Sequence, residues 1–108
     1  MIRGRVHCQR ADYDVYIGRP SRWGNPFSHL YSLSHVHSGV AKIKVSSHRE
    51  AVEAYRQWLK GEAYQDVEPE RRQWILDNLH VLDGKILGCW CKGNQACHGD
   101  VLIELIKE

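Results

Sequence analysis

The sequence has no long hydrophobic run. No apolar stretch approaches the ~18 residues that a membrane-spanning helix needs, and no charged-then-apolar leader resembles a signal peptide. The net charge of +2 is too small to indicate nucleic-acid binding by itself. A secreted disulfide framework is also not indicated, because three of the four cysteines lie close together near the end of the chain. We therefore expect a cytoplasmic protein without membrane attachment.

The length and the charge distribution indicate the number of domains and the kind of ligand to expect. A chain of 108 residues has room for one core, so we expect a single domain over residues 1–108. Residues 1–49 carry eight Lys or Arg and two acidic residues, whereas residues 50–108 carry seven and eleven. The basic first half suits an anionic ligand, although solvated surface charge explains the same asymmetry.

Alternation of apolar and polar residues predicts the strands. Residues 2–8 and 40–45 alternate as half-exposed strands do, and residues 13–17 form a short apolar segment that ends at a turn signal. Residues 86–91 are apolar on both sides, which is typical of a buried central strand.

Capping residues predict three helices. Ser47 and Glu50 form a capping box, and Gly61 lies just beyond the end of that helix. Pro69 suits the first turn of a second helix, and a third helix begins near Gly99. The order β-β-β-α-α-β-α predicts a small single α/β domain, with about three helices packed on a short mixed sheet of about 3–4 strands.

The segment GRPSRWGNPF, residues 18–27, directly follows the second predicted strand. Arginine forks suit phosphate, and an indole suits stacking on a base. We therefore expect five ligand-binding side chains here: Arg19, Ser21, Arg22, Trp23 and Asn25. The alternatives are that Trp23 is a core anchor, that the arginines are solvated and that Asn25 belongs to a turn.

The segment CWCKGNQACHGD, residues 89–100, runs from the end of the central strand into the last helix. The start of a helix favours a thiolate, and glycine there lets a ligand approach the backbone. Cys97, His98 and Asp100 are therefore candidate catalytic residues, and Gly99 is a candidate ligand contact.

Three interpretations of these cysteines remain open. Cys89, Cys91, Cys97 and His98 hold the right atoms for zinc, but the spacing is poor, because zinc knuckles usually have two to four residues between cysteines. Cys97 beside His98 also suits a reactive thiol. The remaining alternative is that the cysteines are small buried core residues. We expect no metal or cofactor, with zinc as the alternative.

The two segments fit one site if strands 13–17 and 86–91 run parallel. Their carboxyl ends would then meet at one edge of the sheet, where open α/β sheets bind ligands, with Arg19, Trp23 and Cys97 facing one cavity. The expected partner is a small anionic, nucleotide-like ligand, and nucleic acid is an alternative. An enzyme would be a hydrolase or transferase with Cys97 or Asp100 as nucleophile and His98 as acid or base. The other function classes are a non-catalytic binding module and a zinc-stabilised structural domain.

The sequence resembles a family of short bacterial and phage domains of unknown function. The resemblance rests on GRPSRWGNPF (18–27), EAVEAYRQWL (50–59) and CWCKGNQACHGDVL (89–102), and it covers nearly the whole chain. The last segment also resembles the end of a second uncharacterised family that has Cys-x-Glu in place of Cys-x-Cys. That likeness implies a shared edge site rather than zinc, because glutamate would be an unusual replacement for a cysteine ligand.

Overall fold

Five strands and three α-helices make up the fold of the computed structural model, which describes residues 2–18, 21–28, 43–89 and 96–107. The strands are β1 Gly4–His7, β2 Val15–Tyr16, β3 Phe27–Ser28, β4 Ile43–Lys44 and β5 Ile86–Cys89. The helices are α1 His48–Lys60, α2 Pro69–Asn78 and α3 His98–Lys107, and a 3₁₀ turn, Leu79–Leu82, follows α2. All the predicted elements are present, and β1 and β2 are shorter than predicted. Residues 40–42 and 90–91 of the other two predicted strands lie outside the described residues.

The main sheet has three strands in the order β1-β5-β2, and both pairs are parallel. His7 lies opposite Cys89, and Tyr16 lies opposite Gly88, so the carboxyl ends of all three strands meet at one edge. A small second sheet pairs β3 with β4, again in parallel. The α/β fold is therefore confirmed, although every described strand pair is parallel, where a mixed sheet was expected. The chain crosses over through α1 and α2 before β5, which is the connection that parallel pairing requires.

The ends of α1 follow from local sequence. Ser47 accepts a hydrogen bond from the backbone N–H of Glu50 at 3.1 Å, as the capping box predicts. Gly61 adopts φ 79°, a left-handed conformation that glycine takes without strain, and its N–H turns back to the last carbonyls of the helix. The Arg72 guanidinium also donates to the carbonyls of Trp58 (2.6 Å) and Leu59 (3.1 Å), which fixes α2 against the end of α1.

The core lies between the sheet and one face of α1. That face contributes six buried residues: Ala51, Val52, Ala54, Tyr55, Trp58 and Leu59. Leu87 of β5 and Val101 and Leu102 of α3 close the core from the other side, and all three are fully buried. Within the described residues, no helix has the length and apolar character to cross a bilayer.

Candidate functional site

The carboxyl edge of the main sheet brings β2, β5 and the start of α3 together. Ile17 follows β2 and donates its N–H to the Gly88 carbonyl at 2.9 Å, which holds the end of β2 beside β5. The His98 side chain, at the first position of α3, reaches the Ile17 carbonyl at 2.7 Å. The predicted meeting of the strand ends is therefore present. We call Arg5, Cys89, Cys97, His98 and Asp100 the sheet-edge cluster.

Cys97 directly precedes α3, and its sulfur serves as the cap of the helix. The Gly99 N–H donates to Sγ of Cys97 at 3.3 Å, and the Asp100 N–H donates to the Cys97 carbonyl at 2.9 Å. The Cys89 sulfur lies 3.3 Å from the Cys97 sulfur, and both cysteines are fully buried. A helix N–H aimed at sulfur stabilises negative charge there, whereas full burial opposes that charge and keeps large substrates away.

His98 is held from both sides of its ring. The Ile17 carbonyl can only accept, so Nε2 carries a proton, and Nδ1 then presents a lone pair 3.8 Å from the Cys97 sulfur. The ring of Tyr55 packs against the imidazole at a centroid distance of 5.3 Å, almost perpendicular to it. An acid or base role for His98 would therefore use Nδ1, with Cys97 as its partner.

Asp100 pairs with Arg5 of β1. Oδ1 accepts from Nε at 2.7 Å and Oδ2 from Nη2 at 3.2 Å, which is a two-pronged ion pair. This pairing raises the pKa of Arg5 and outweighs burial, which lowers it, and the nearby charges of Cys97 and Cys89 raise it further. The described contacts of the Asp100 side chain therefore orient Arg5, whereas the sequence suggested that it could orient His98.

Gly99 packs tightly in this cluster. A Cβ placed there would lie 2.9 Å from Cδ1 of Ile17 and 3.2 Å from Cδ of Arg5. The absence of a side chain is thus required by contacts inside the protein, and the predicted role of Gly99 as a ligand contact stays a prediction.

Trp23 is placed in the core by its contacts. It is 6% exposed, and its ring lies 4.9 Å from that of Trp74 of α2 in an edge-to-face arrangement. Its carbonyl accepts a hydrogen bond from the Tyr55 hydroxyl at 2.8 Å. The core-anchor alternative therefore describes the contacts of Trp23 in this structure, and its ligand-binding role stays a prediction.

Asn25 is also buried, and it joins the loop to α1. Its Nδ2 donates to the Ala51 carbonyl at 2.8 Å, and its Oδ1 accepts from the Phe27 N–H at 2.9 Å. These bonds form the turn at Asn25-Pro26, which is the structural alternative for this residue. The ligand-binding role predicted for Asn25 has no support from these contacts.

Arg22 is the exposed member of the motif, and it lines a cavity of about 320 Å³ on α2. Five of the described residues line it, and we call it the α2 cavity: Arg22, Glu68, Glu70, Arg71 and Trp74. The guanidinium of Arg22 lies over the Trp74 ring, 5.3 Å from its centroid. Thus the motif does supply an arginine beside an indole, but that indole is Trp74.

Arg71 forms the inner wall of the α2 cavity. Its Nη1 donates to the Gly24 carbonyl at 2.6 Å, and its guanidinium lies 5.7 Å from the centroid of the Trp58 ring. Burial lowers the pKa of Arg71, and the charge of Glu68 opposes that shift. Glu68 itself has φ 40°, an unfavourable left-handed conformation for a residue with a side chain. Two guanidiniums and two carboxylates thus face one another around an indole.

The remaining predicted site residues are Ser21, Arg19 and Cys91. The Ser21 hydroxyl oxygen is shielded from solvent and has no hydrogen-bond partner within the part of the chain that the structure describes. Arg19 and Cys91 lie outside the described residues. Among those that are described, no three His, Cys, Asp or Glu side chains are grouped to hold a metal ion. The zinc alternative depends on Cys91 and stays a prediction.

Sequence reasoning missed Arg5, Tyr55 and the lining of the α2 cavity. Arg5 occupies a polar position of an alternating strand, and its partner Asp100 lies 95 positions away, so no local pattern indicated the pair. Trp74 has helical spacing typical of a core residue, which hid the fact that it is only partly buried. The signal that was available is the arginine and glutamate content at the start of α2.

The comparison with protein families identifies the family of this chain. The model described as "Domain of unknown function (DUF4326)" matches residues 3–108, and the chain belongs to this family. No curated protein and no solved structure matches the chain. The resemblance seen in the sequence motifs is therefore confirmed at the level of the family.

Proposed function

We propose that this member of the family binds a nucleotide or nucleoside-type ligand in the α2 cavity. The observation that carries the proposal is the position of Arg22 and Trp74, an exposed guanidinium lying over a partly buried indole at the wall of the cavity. An indole face stacks on any base, and an arginine fork binds a phosphate oxygen. A volume of about 320 Å³ is at the lower end of the range for small-molecule sites.

The charges around the cavity favour a base over a simple anion. Arg22 and Arg71 donate hydrogen bonds, whereas Glu68 and Glu70 can only accept them when ionised. A nucleobase presents both N–H donors and carbonyl or ring-nitrogen acceptors on its edge, so it can satisfy both kinds of group. Inorganic phosphate would meet the guanidiniums but also the two carboxylates, which repel it.

The ligand's phosphate would lie towards Arg22, the more exposed of the two arginines. Arg71 already bonds to a backbone carbonyl, so its position is fixed by the loop. Arg22 is exposed and can rotate from the ring to a phosphate as the base stacks in its place. The protein would act in the cytoplasm, where reduced thiols such as those of Cys8, Cys89 and Cys97 persist.

Calorimetry with nucleosides, nucleoside monophosphates and inorganic phosphate tests the proposal. Arg22→Ala should weaken binding of the monophosphate by ~10-fold or more and change nucleoside binding little, because only the charge-assisted contact is lost. Arg49→Ala is the matched control, since Arg49 is an exposed arginine on α1 away from the cavity lining. Equal effects of the two substitutions, or no binding by any nucleoside compound, would overturn the proposal.

Glu70→Gln separates the role of the base from that of the phosphate. The amide cannot accept with the strength of a carboxylate and offers donors, so the preference among the bases should change while phosphate dependence is retained. Chromatography of the recovered ligand shows whether it is returned intact. An intact ligand identifies a binding module, and a cleaved glycosidic or phosphate bond identifies a hydrolase or transferase.

A further inference from the structure

The two buried thiols of the sheet-edge cluster form a chemically distinct pair that the proposed ligand site does not use. Cys89 ends the central strand and Cys97 caps α3, and their sulfur atoms are 3.3 Å apart. A disulfide needs ~2.05 Å between sulfurs, so a movement of a little over ~1 Å would form the bond. An intramolecular disulfide would therefore require only a small change in the reduced structure.

We propose that Cys89 and Cys97 are a redox pair that a peroxide converts into an intramolecular disulfide, with Cys97 as the thiol that reacts with the peroxide first. Two neighbours favour Cys97 for the first step, because the Gly99 N–H donates to its sulfur and Nδ1 of His98 faces it at 3.8 Å. The Arg5 guanidinium, held by Asp100, interacts electrostatically with both thiols and does not distinguish them. Each of these stabilises negative charge on sulfur or accepts its proton.

The environment of Cys89 suits the second step. The Cys89 sulfur lies 3.8 Å from the Val6 carbonyl, a contact in which the sulfur can only be the donor. A carbonyl neighbour disfavours the thiolate, whereas Cys97 has an N–H neighbour that favours it. The pair is thus polarised, with Cys97 as the nucleophile toward peroxide and Cys89 as the resolving thiol.

The chemistry balances with peroxide as the only co-reactant. The Cys97 sulfur attacks one peroxide oxygen, the S–O bond forms as the O–O bond breaks, and the leaving hydroxide takes the thiol proton through His98 to become water. The Cys89 sulfur then attacks the sulfenic acid of Cys97, the S–S bond forms, and the S–O bond breaks. The Cys89 proton leaves with that oxygen as a second water. Two thiols are oxidised, and one peroxide is reduced.

Burial determines the class of oxidant. Both cysteines are fully buried, so a bulky disulfide such as oxidised glutathione cannot reach either sulfur without opening the core. Hydrogen peroxide is only slightly larger than water and needs a much smaller fluctuation. We therefore expect reaction with peroxide and little reaction with oxidised glutathione over the same period.

The experiment is peroxide titration of the reduced full-length protein in the presence of a chelator, followed by alkylation, digestion and mass spectrometry. The expected product joins Cys89 to Cys97 with loss of two hydrogen atoms, is reversed by dithiothreitol, and appears at doses that leave Cys8 reduced. Cys8 is the internal control, because it is a partly exposed thiol without these neighbours. A bond from either cysteine to Cys91 or Cys8, or oxidation of Cys8 before Cys97, would overturn the proposal.

Variants separate the two roles. Cys89→Ser should give no disulfide and leave Cys97 as a sulfenic acid that dimedone traps, whereas Cys97→Ser should leave Cys89 at least ~10-fold less reactive. Cys8→Ser should behave as the parent protein does. Equal reactivity in the Cys97→Ser variant, or stoichiometric zinc that protects all the thiols, would count against the pair. The mapping of the parent protein needs no variant, so a substitution that prevents folding does not remove the test.

Discussion

At the scale of the residue, the close packing at the sheet edge requires that Gly99 has no side chain. It occupies the second position of α3, where a Cβ would lie 2.9 Å from Cδ1 of Ile17, too close for any ordinary contact. Alanine is otherwise the better helix former, so local propensity alone predicts that Gly99→Ala stabilises the protein. The structure predicts the opposite, because the new methyl group must displace the buried end of the Ile17 side chain.

Gly99→Ala should lower the free energy of unfolding by roughly 1–3 kcal/mol in chemical denaturation, the usual cost of overpacking. Ile17→Val supplies the matched test, since it removes the Cδ1 atom that the new methyl group meets. The double variant should therefore be more stable than the sum of the two single effects predicts. Strict additivity, or a stabilised Gly99→Ala protein, would show that the contact is absent in solution.

At the scale of the element, residues next to α1 in the sequence determine where this helix begins. Ser47 caps the helix through the Glu50 N–H, and the Glu50 carboxylate accepts from the Ser46 N–H at 3.0 Å. Ser47→Ala removes the side-chain acceptor and should cost ~1 kcal/mol of unfolding free energy, measured by urea denaturation. Ser46→Ala is the control, because it retains the backbone N–H that Glu50 uses. If both substitutions have the same small effect, the capping bond makes no net contribution.

The contact between α1 and α3 depends on the charge of Glu104. Its Oε2 accepts from Nε of Arg56 at 3.0 Å and from Nζ of Lys60 at 3.2 Å. Burial raises the pKa of Glu104, but the hydrogen bonds and charges of Arg56 and Lys60 together outweigh burial and bring that pKa below its ordinary value. The folded protein therefore binds this proton less readily than the unfolded chain does.

A depressed carboxyl pKa contributes stability above the ordinary value of 4.5, and the contribution is lost as pH falls through the folded pKa. Glu104→Gln should therefore be less stable than the parent protein near neutral pH, by under ~1 kcal/mol because the pair is partly exposed. The difference should shrink in acid, as measured by denaturation at a series of pH values. Glu62→Gln is the control, because Glu62 is an exposed glutamate beyond the end of α1. A difference that grows in acid would contradict the assignment.

At the scale of the whole molecule, the sequence predicts contacts between residues that are close along the chain better than contacts between residues that are far apart along it. Ser47, Glu50, Gly61 and Pro69 act on neighbours a few positions away, so the helices could be placed from the sequence alone. The central position of β5 was also expected, because a segment that is apolar on both faces suits a buried strand, whereas its parallel pairing with β2 was a condition of the single-site hypothesis. These predictions needed only local periodicity and the usual rules of connection.

The candidate site depended on contacts that have no local signal. The position of Trp23 after a strand is compatible both with stacking on a base and with burial in the core. The packing of Trp74 against Trp23 favours the role in the core. Arg22 lies over Trp74 of α2, and His98 lies at the sheet edge, so the described residues of the two motifs contribute to two regions of the molecule. The single pocket that would also include Arg19, which lies outside the described residues, stays a prediction.

Tyr55 connects these two regions. Its ring packs on His98 at the sheet edge, and its hydroxyl donates to the carbonyl of Trp23 in the loop that carries Arg22. It is fully buried, and burial raises its pKa far above the ordinary value, so the hydroxyl stays a donor at all physiological pH values. The loop is therefore held in place from inside the core.

Tyr55→Phe should cost roughly 1–3 kcal/mol of unfolding free energy, because the Trp23 carbonyl is left buried without this donor. Hydrogen exchange should also accelerate at residues 21–27, and binding in the α2 cavity should weaken as the position of Arg22 becomes less defined. The stability difference should persist below ~pH 10 and shrink above it, since only the parent protein must keep a phenol neutral there. Tyr13→Phe is the control, because Tyr13 is 41% exposed and keeps its ring contacts as phenylalanine. Similar losses in both variants, with unchanged exchange at residues 21–27, would show that Tyr55 does not link the two regions.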